Sequence, residues 1–270
     1  EVLGTLSEEI AELMLVIDTG EWYSKVGASS VTLLWLKQGV GGRKTCGKGM
    51  VISMRFRYLL FDLDGTLTDP ALGITNSVIH ALKAFQIEVK ERKDLFVFIG
   101  PPLFDSFVQY YHMSEKQADK AVELYREYFS VKGLFENSVY EGMATSLETL
   151  KKQGYHLAVA TSKPEPYAIQ ILEHFKLDHY FDVICGSDLH GRKEDKADVI
   201  QKVINYFQDS KMSNYLMIGD RLHDALGAKK HHMDCLGVTY GYGSKEELDN
   251  AGCIATIDNN QAIIDIVKLI

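Results

Sequence analysis

From Met54 onward the sequence alternates between short apolar runs of strand-forming character and longer stretches of helical periodicity. The runs lie at 58–62, 156–161, 181–185, 215–219, 236–239 and 254–257. Helical spacing recurs near 143–153, 165–175, 195–207, 222–233 and 260–269. Strands that alternate with helices imply βαβ units, hence a parallel sheet with both faces covered. The chain is therefore predicted to be α/β, with any active site at the carboxyl ends of its strands.

One segment breaks the alternation. Residues 72–138 contain no strand pattern, but "SVIHALKAF" sets Val78, Leu82 and Phe85 on one helical face. "EKQADKAVELYREYF" does the same with Ala118, Val122, Tyr125 and Phe129. A helical insert placed directly after the first strand predicts a cap or lid over the strand ends, with the core formed by 54–71 and 139–270. Its "FIGPPL" loop at 98–103 is expected either to reach the pocket through Gly100 or to serve only as a helix breaker.

The first strand, "YLLF", stops at Asp62, and Asp64-Gly65-Thr66 follow. The strand at 156–161 ends in Thr161-Ser162-Lys163. The strand at 215–219 ends in Gly219-Asp220-Arg221, with His223 and Asp224 close behind. "GRKEDKADVI" sets Lys196 at the start of a helix. In a parallel sheet these ends converge, so Asp62, Asp64, Thr161, Lys196, Asp220 and Asp224 are expected around one pocket. Two like charges about 4 Å apart repel by roughly 4 kcal/mol at an effective dielectric near 20. Three carboxylates at one point therefore call for a cation. All-oxygen ligands suit Mg²⁺, which often meets a substrate phosphate as well.

Those four motifs, in that order, resemble the haloacid dehalogenase superfamily, and more narrowly its phosphatases with a helical cap after the first motif. The resemblance covers about 55–270. "DPALGITNSV", "FIGPPL", "LFENSVYEGM", "ATSKPE" and "GYGS" are similar to a phosphoglycolate phosphatase-like or 5′-nucleotidase-like subgroup. It implies a Rossmann-like core with an inserted α-helical cap. It implies that Asp62 attacks phosphorus to form an aspartyl-phosphate, while Asp64 protonates the leaving alcohol and later activates water. It implies Mg²⁺ held by Asp62, Asp220 and the Asp64 carbonyl, with Asp224 a ligand or a support, and phosphoryl oxygens held by Thr161, Ser162 and Lys196. Lys196 is preferred because it precedes the helix "ADVIQKVI", as the family's lysine does; Lys193 is the alternative. His223 is expected to line the metal loop rather than act as a base. His231 and His232, at a helix end, are expected to interact with its dipole.

A formal net charge of −8 argues against general nucleic-acid binding. Cys46, Cys185, Cys235 and Cys253 show no paired spacing, which predicts reduced thiols in a cytoplasmic protein. No apolar run reaches the roughly 18–20 residues of a membrane span. Residues 1–53 read differently from the rest. "LSEEIAELMLVI" is expected to be a short amphipathic helix, and the acidic start is not that of a signal peptide. "GRKTCGKG" at 42–49 resembles a P-loop but has Gly49 where a Ser or Thr is needed. A faint likeness to threonylcarbamoyl-adenylate synthases within 1–53 is too short for that domain. Met54 is the expected native start, and 1–53 receives no function.

The expected activity is thus Mg²⁺-dependent hydrolysis of a small phosphate ester. A nucleoside 5′-monophosphate is favoured, with 2-phosphoglycolate next. A phosphomutase sharing Asp62 and Asp64, and a non-catalytic phospholigand-binding protein, are the rivals. The oligomeric state is not legible.

Overall fold

In a computed structural model, residues 55–189 and 194–270 are described. The expectations for 1–53, for the P-loop-like string and for Lys193 fall outside them. The main sheet has strands β1 (Tyr58–Phe61), β4 (His156–Pro164), β5 (Val183–Ser187), β6 (Tyr215–Gly219), β7 (Asp234–Val238) and β8 (Ala255–Ile257). All pairs are parallel, in the order β5-β4-β1-β6-β7-β8. All six apolar runs therefore become strands of one sheet, each beginning or ending within three residues of its expected bounds.

Both faces are covered, for a reason visible along β1. Leu59 and Phe61 point into one core with Leu157, Val159, Leu216 and Ile218, beneath helices Met143–Lys152 and Ala262–Leu269. Tyr58 and Leu60 point into the other, with Ala158, Tyr215 and Met217, beneath helices Lys196–Phe207 and Leu222–Lys230. Side chains alternate across a strand, so a strand covered on both sides must be apolar throughout. That is why these runs show no period-two pattern.

Between β1 and β4 lies the helical region: helices Ala71–Ala84, Leu103–Tyr111 and Glu115–Tyr128, a 3₁₀ turn at Arg92–Phe98 and a π turn at Phe129–Gly133. Helix Glu115–Tyr128 starts on a capping box, in which the Ser114 hydroxyl accepts from the Gln117 amide. Ala118, Ala121 and Tyr125 are its buried stripe, whereas Val122 is only half-buried and faces a cavity. Some short elements were not anticipated. The two-residue strands β2 (Thr68–Asp69) and β3 (Ser138–Val139) pair antiparallel and close the helical region at its base. Helix Lys245–Ala251 follows β7. Segments of two to seven residues are too short to carry a readable period.

The three described cysteines are free thiols, and Cys253 donates to the Cys235 sulfur at 3.7 Å. No helix among the described residues is long and apolar enough to cross a membrane.

Helix Lys196–Phe207 carries a predicted site residue at its first position. Asp195 caps it, its carboxylate accepting from the amides of Ala197 at 2.8 Å and Asp198 at 3.2 Å. Asp195→Ala is expected to cost about 1 kcal/mol in urea unfolding at pH 7, the usual value of such a cap. An unchanged midpoint would mean that the helix start is held by packing alone.

Candidate active site

β1 lies between β4 and β6, so the ends of three adjacent strands bring Asp62, Thr161 and Asp220 to one rim. Asp224 joins them from the first turn of helix Leu222–Lys230. Carboxylate oxygens of Asp62, Asp220 and Asp224 all lie within 4.8 Å of one another. These residues are only 4 %, 0 % and 0 % exposed. Gly65 permits the convergence: it has φ +82°, and a Cβ there would stand 2.2 Å from Asp220 Oδ2.

Lys196 enters from beneath. Its ammonium lies 2.9 Å from Asp62 and 2.8 Å from Asp224, and donates to the Ala160 carbonyl at 3.0 Å. Burial would lower its pKa, but Asp224 and Asp62 outweigh burial and hold it above the ordinary lysine value. Asp220 has no ammonium partner among the described residues. It accepts from the Thr66 hydroxyl at 3.3 Å and the Tyr242 amide at 2.8 Å. Burial, then Asp224 and Asp62, push its carboxyl well above the usual range. Asp224 is pushed up to about 6, burial and Asp62 exceeding the opposing effect of Lys196.

Asp64 stands apart from that trio. Its carboxylate pairs with Lys163 at 2.5 Å, and burial raises its pKa despite that partner. Around the rim four carboxylates thus face two ammonium groups, leaving two negative charges, the charge of one divalent cation. The closeness of three buried oxygens and this deficit make the trio a fitting cradle for such an ion.

A cavity of about 490 Å³ opens above Asp64. Its wall includes Ser162 and Lys163 from the end of β4, Gly100 from the "FIGPPL" loop, and Tyr125, Arg126 and Phe129 from the helical region. Thr161, 1 % exposed, lies beneath, where its hydroxyl accepts from the Lys163 amide at 3.2 Å. Two arginines tie the helical region to the sheet beside this cavity. Arg126 donates to the Leu189 carbonyl and Arg221 to the Ile99 carbonyl, each at 2.7 Å.

The sequence profile of the haloacid dehalogenase-like hydrolases matches residues 59–238. A 5′-nucleotidase of Pseudomonas aeruginosa is 45% identical over 196 residues, which cover 73% of this chain and 88% of that protein. The crystal structure of a predicted phosphatase from Clostridium acetobutylicum superposes with a TM-score of 0.77 at 47% identity, covering 80% of this chain and 99% of that one. A tyrosine-protein kinase, PtkA, of Mycobacterium tuberculosis is 36% identical over 209 residues, 77% of this chain and 70% of that protein. The chain belongs to the haloacid dehalogenase-like hydrolase family, as a phosphatase.

In this phosphatase the structure gathers all the predicted site residues within its described part. Asp62, Asp220, Asp224 and Lys196 form the buried base, while Asp64, Ser162 and Gly100 reach the cavity. His223 is held below the usual histidine pKa by burial and by Arg221 and Lys196. His231 contacts the Ala197 carbonyl at 2.8 Å. Three partners were not anticipated as site residues: Thr66, Lys163 and Tyr242. Thr66 and Lys163 sit in the motif strings "DGT" and "TSK", and Tyr242 in "GYGS". Their contacts join segments far apart in the chain and leave no local pattern.

A cation held on this cradle would compete with the proton of Asp224, whose carboxyl is pushed up to about 6. A carboxyl whose folded pKa is raised favours the folded state as pH falls through that value, and its proton competes with any cation. A divalent cation at fixed concentration is therefore expected to raise the melting temperature more at pH 7.5 than at pH 5, and Asp224→Asn is expected to flatten that difference. Equal increments at both pH values in thermal melts would remove Asp224 from the cradle.

Proposed function

We propose that this phosphatase hydrolyses a nucleoside 5′-monophosphate through an aspartyl-phosphate on Asp62. The observation that carries the reading is the joint placement of Asp62 on the buried acidic trio and of Asp64 at the floor of the cavity. One carboxylate is set toward a phosphoryl group and the other toward what leaves it. Asp62 attacks phosphorus; Asp64 gives the leaving oxygen its proton, then takes one from water. Thr161, Ser162 and Lys196 hold phosphoryl oxygens. Asp62, Asp220 and Asp224, with the backbone carbonyl of Asp64, would hold Mg²⁺, which when bound supplies positive charge against those oxygens.

In this reading 54–71 and 139–270 are the core and 72–138 the cap. Gly100 on the cap loop borders the substrate. The cavity volume supports a nucleoside: a sugar and a base occupy much of it, whereas the two-carbon remainder of phosphoglycolate leaves most of it to water. Phe98, Phe129 and Tyr167 supply apolar wall for a base. The 45% identical 5′-nucleotidase supports the same choice. The free thiols favour a reducing compartment, the cytoplasm.

Phosphate release measured across nucleoside 5′-monophosphates, 2-phosphoglycolate and sugar phosphates is expected to give the highest kcat/KM with a nucleotide. It is expected to stop with EDTA and return with Mg²⁺. A maximum at 2-phosphoglycolate would replace the substrate assigned here. Consumption of a sugar bisphosphate without phosphate release would replace the hydrolase with a mutase. Asp62→Asn is expected to bring turnover of an aryl phosphate to background with the melting temperature retained. Near wild-type turnover by that variant would end the nucleophile assignment.

A further inference from the structure

Cys235 and Cys253 are 18 positions apart in the sequence, and their sulfurs lie 3.7 Å from each other. Cys235 stands on β7 and is 3 % exposed. Cys253 is half-buried, packs against the same core and follows helix Lys245–Ala251 through Gly252. Backbone hydrogen bonds fix both residues. The Ile254 amide donates to the Cys235 carbonyl at 2.8 Å, and the Cys253 amide to the Leu248 carbonyl at 3.1 Å. A sulfur–sulfur bond is about 2.0 Å long, so joining the pair needs an approach of about 1.7 Å. The turn at Gly252 has room to supply it, since a Cβ there would meet nothing within 4 Å. Cys185 is placed differently: it is buried on β5, with β4, β1 and β6 between it and Cys235. The phosphoryl chemistry proposed above uses none of these thiols.

We infer that Cys235 and Cys253 form a dithiol that a hydroperoxide converts into a reversible disulfide, clipping the chain beyond helix Lys245–Ala251 to β7. In a reducing compartment such a bond is made transiently under oxidation rather than kept as a staple. Peroxide reaches Cys253 first, because Cys235 is buried. The thiolate is the attacking form. The contact between the sulfurs favours that form at Cys253: it holds this thiol below the usual cysteine pKa and, with burial, pushes Cys235 well above it. The Cys253 sulfur bonds to one peroxide oxygen as the oxygen–oxygen bond breaks, giving a sulfenic acid and, from hydrogen peroxide, a first water. The Cys235 sulfur then bonds to the Cys253 sulfur and displaces the hydroxyl, which leaves with the Cys235 proton as a second water. Each sulfur is oxidised by one electron, and each peroxide oxygen is reduced by one. A sulfenic acid with no thiol beside it goes on to the irreversible sulfinic acid; here a thiol already touches it, so oxidation stops at the disulfide. A small thiol restores the pair by exchange, its own sulfur being oxidised in turn. The bond closes a loop over 236–252, which contains Tyr242 and Glu247, the partners of Asp220 and Arg221.

The test uses the full chain, reduced, freed of reductant and exposed to hydrogen peroxide. The protein is then unfolded, its remaining thiols are alkylated, and an unreduced digest is mapped by mass spectrometry. The thiols of Cys235 and Cys253 are expected to disappear together. One linked pair of peptides is expected to join the two, lighter by two hydrogens than the separate thiol peptides. Dithiothreitol is expected to return both thiols to alkylation. Cys253→Ala, which changes a half-buried side chain, is expected to leave Cys235 open to alkylation at the same peroxide dose. Three results overturn the dithiol. One is a sulfinic acid on Cys253 beside an alkylated Cys235. Another is a link from either residue to Cys46 or Cys185 in place of the expected one. The third is survival of both thiols at a dose that oxidises free cysteine. Loss of the Cys235 thiol in Cys253→Ala as fast as in the wild type overturns the order of attack and with it the pairing. These readouts are of thiols alone, so failure of the phosphatase reading would leave them unchanged.

Discussion

Four aspartates sit at one rim of the sheet, and none is more than 8 % exposed. Burying one unpaired carboxylate is costly, and clustering several multiplies the cost through mutual repulsion. Lys196 divides its ammonium between Asp62, Asp224 and the Ala160 carbonyl. Lys163 serves Asp64. Removing either lysine costs about 3–5 kcal/mol, because buried carboxylates are left stranded. The two lysines face four carboxylates, and burial, with the neighbouring carboxylates, raises the pKa values of Asp220 and Asp224. A site left partly uncompensated by the protein is one built to receive positive charge from outside.

Strand order makes the cluster possible. Because β1 runs between β4 and β6, residues 62, 161 and 220 are neighbours in space. The helical region then walls the cavity beside the cluster. It rises from the strand that delivers Asp62, returns through the β2–β3 ribbon, and walls the cavity with Phe98, Tyr125 and Phe129. The crossing pair Arg126–Leu189 and Arg221–Ile99 holds wall and sheet together on carbonyl oxygens, which are acceptors that any sequence supplies.

That last point explains which parts of the site were legible. Asp62, Asp64, Asp220 and Asp224 stood out because carboxylates at the ends of apolar runs contradict burial, and such a contradiction is visible along the chain. Lys196 stood out by its place at a helix start. Lys163 did not, because a lysine after a strand is an ordinary surface residue until its partner is located 99 positions earlier in the chain. The same holds for the Tyr242 amide on Asp220 and for the arginine bridges to backbone, whose acceptors carry no sequence signature. The β2–β3 ribbon and helix Lys245–Ala251 escaped because they are too short for a repeating pattern to stand out.

The chain's own order of residues determined the parallel sheet, since six unbroken apolar runs between helical periods have no other way to bury both faces. It also marked the rim that carries the chemistry, since acids close the runs at 58–62 and 215–219. Which acid each lysine serves and how much room lies above Asp64 were decided only in three dimensions. Contacts of a few ångströms depend on where distant segments come to rest, and no local pattern encodes that distance.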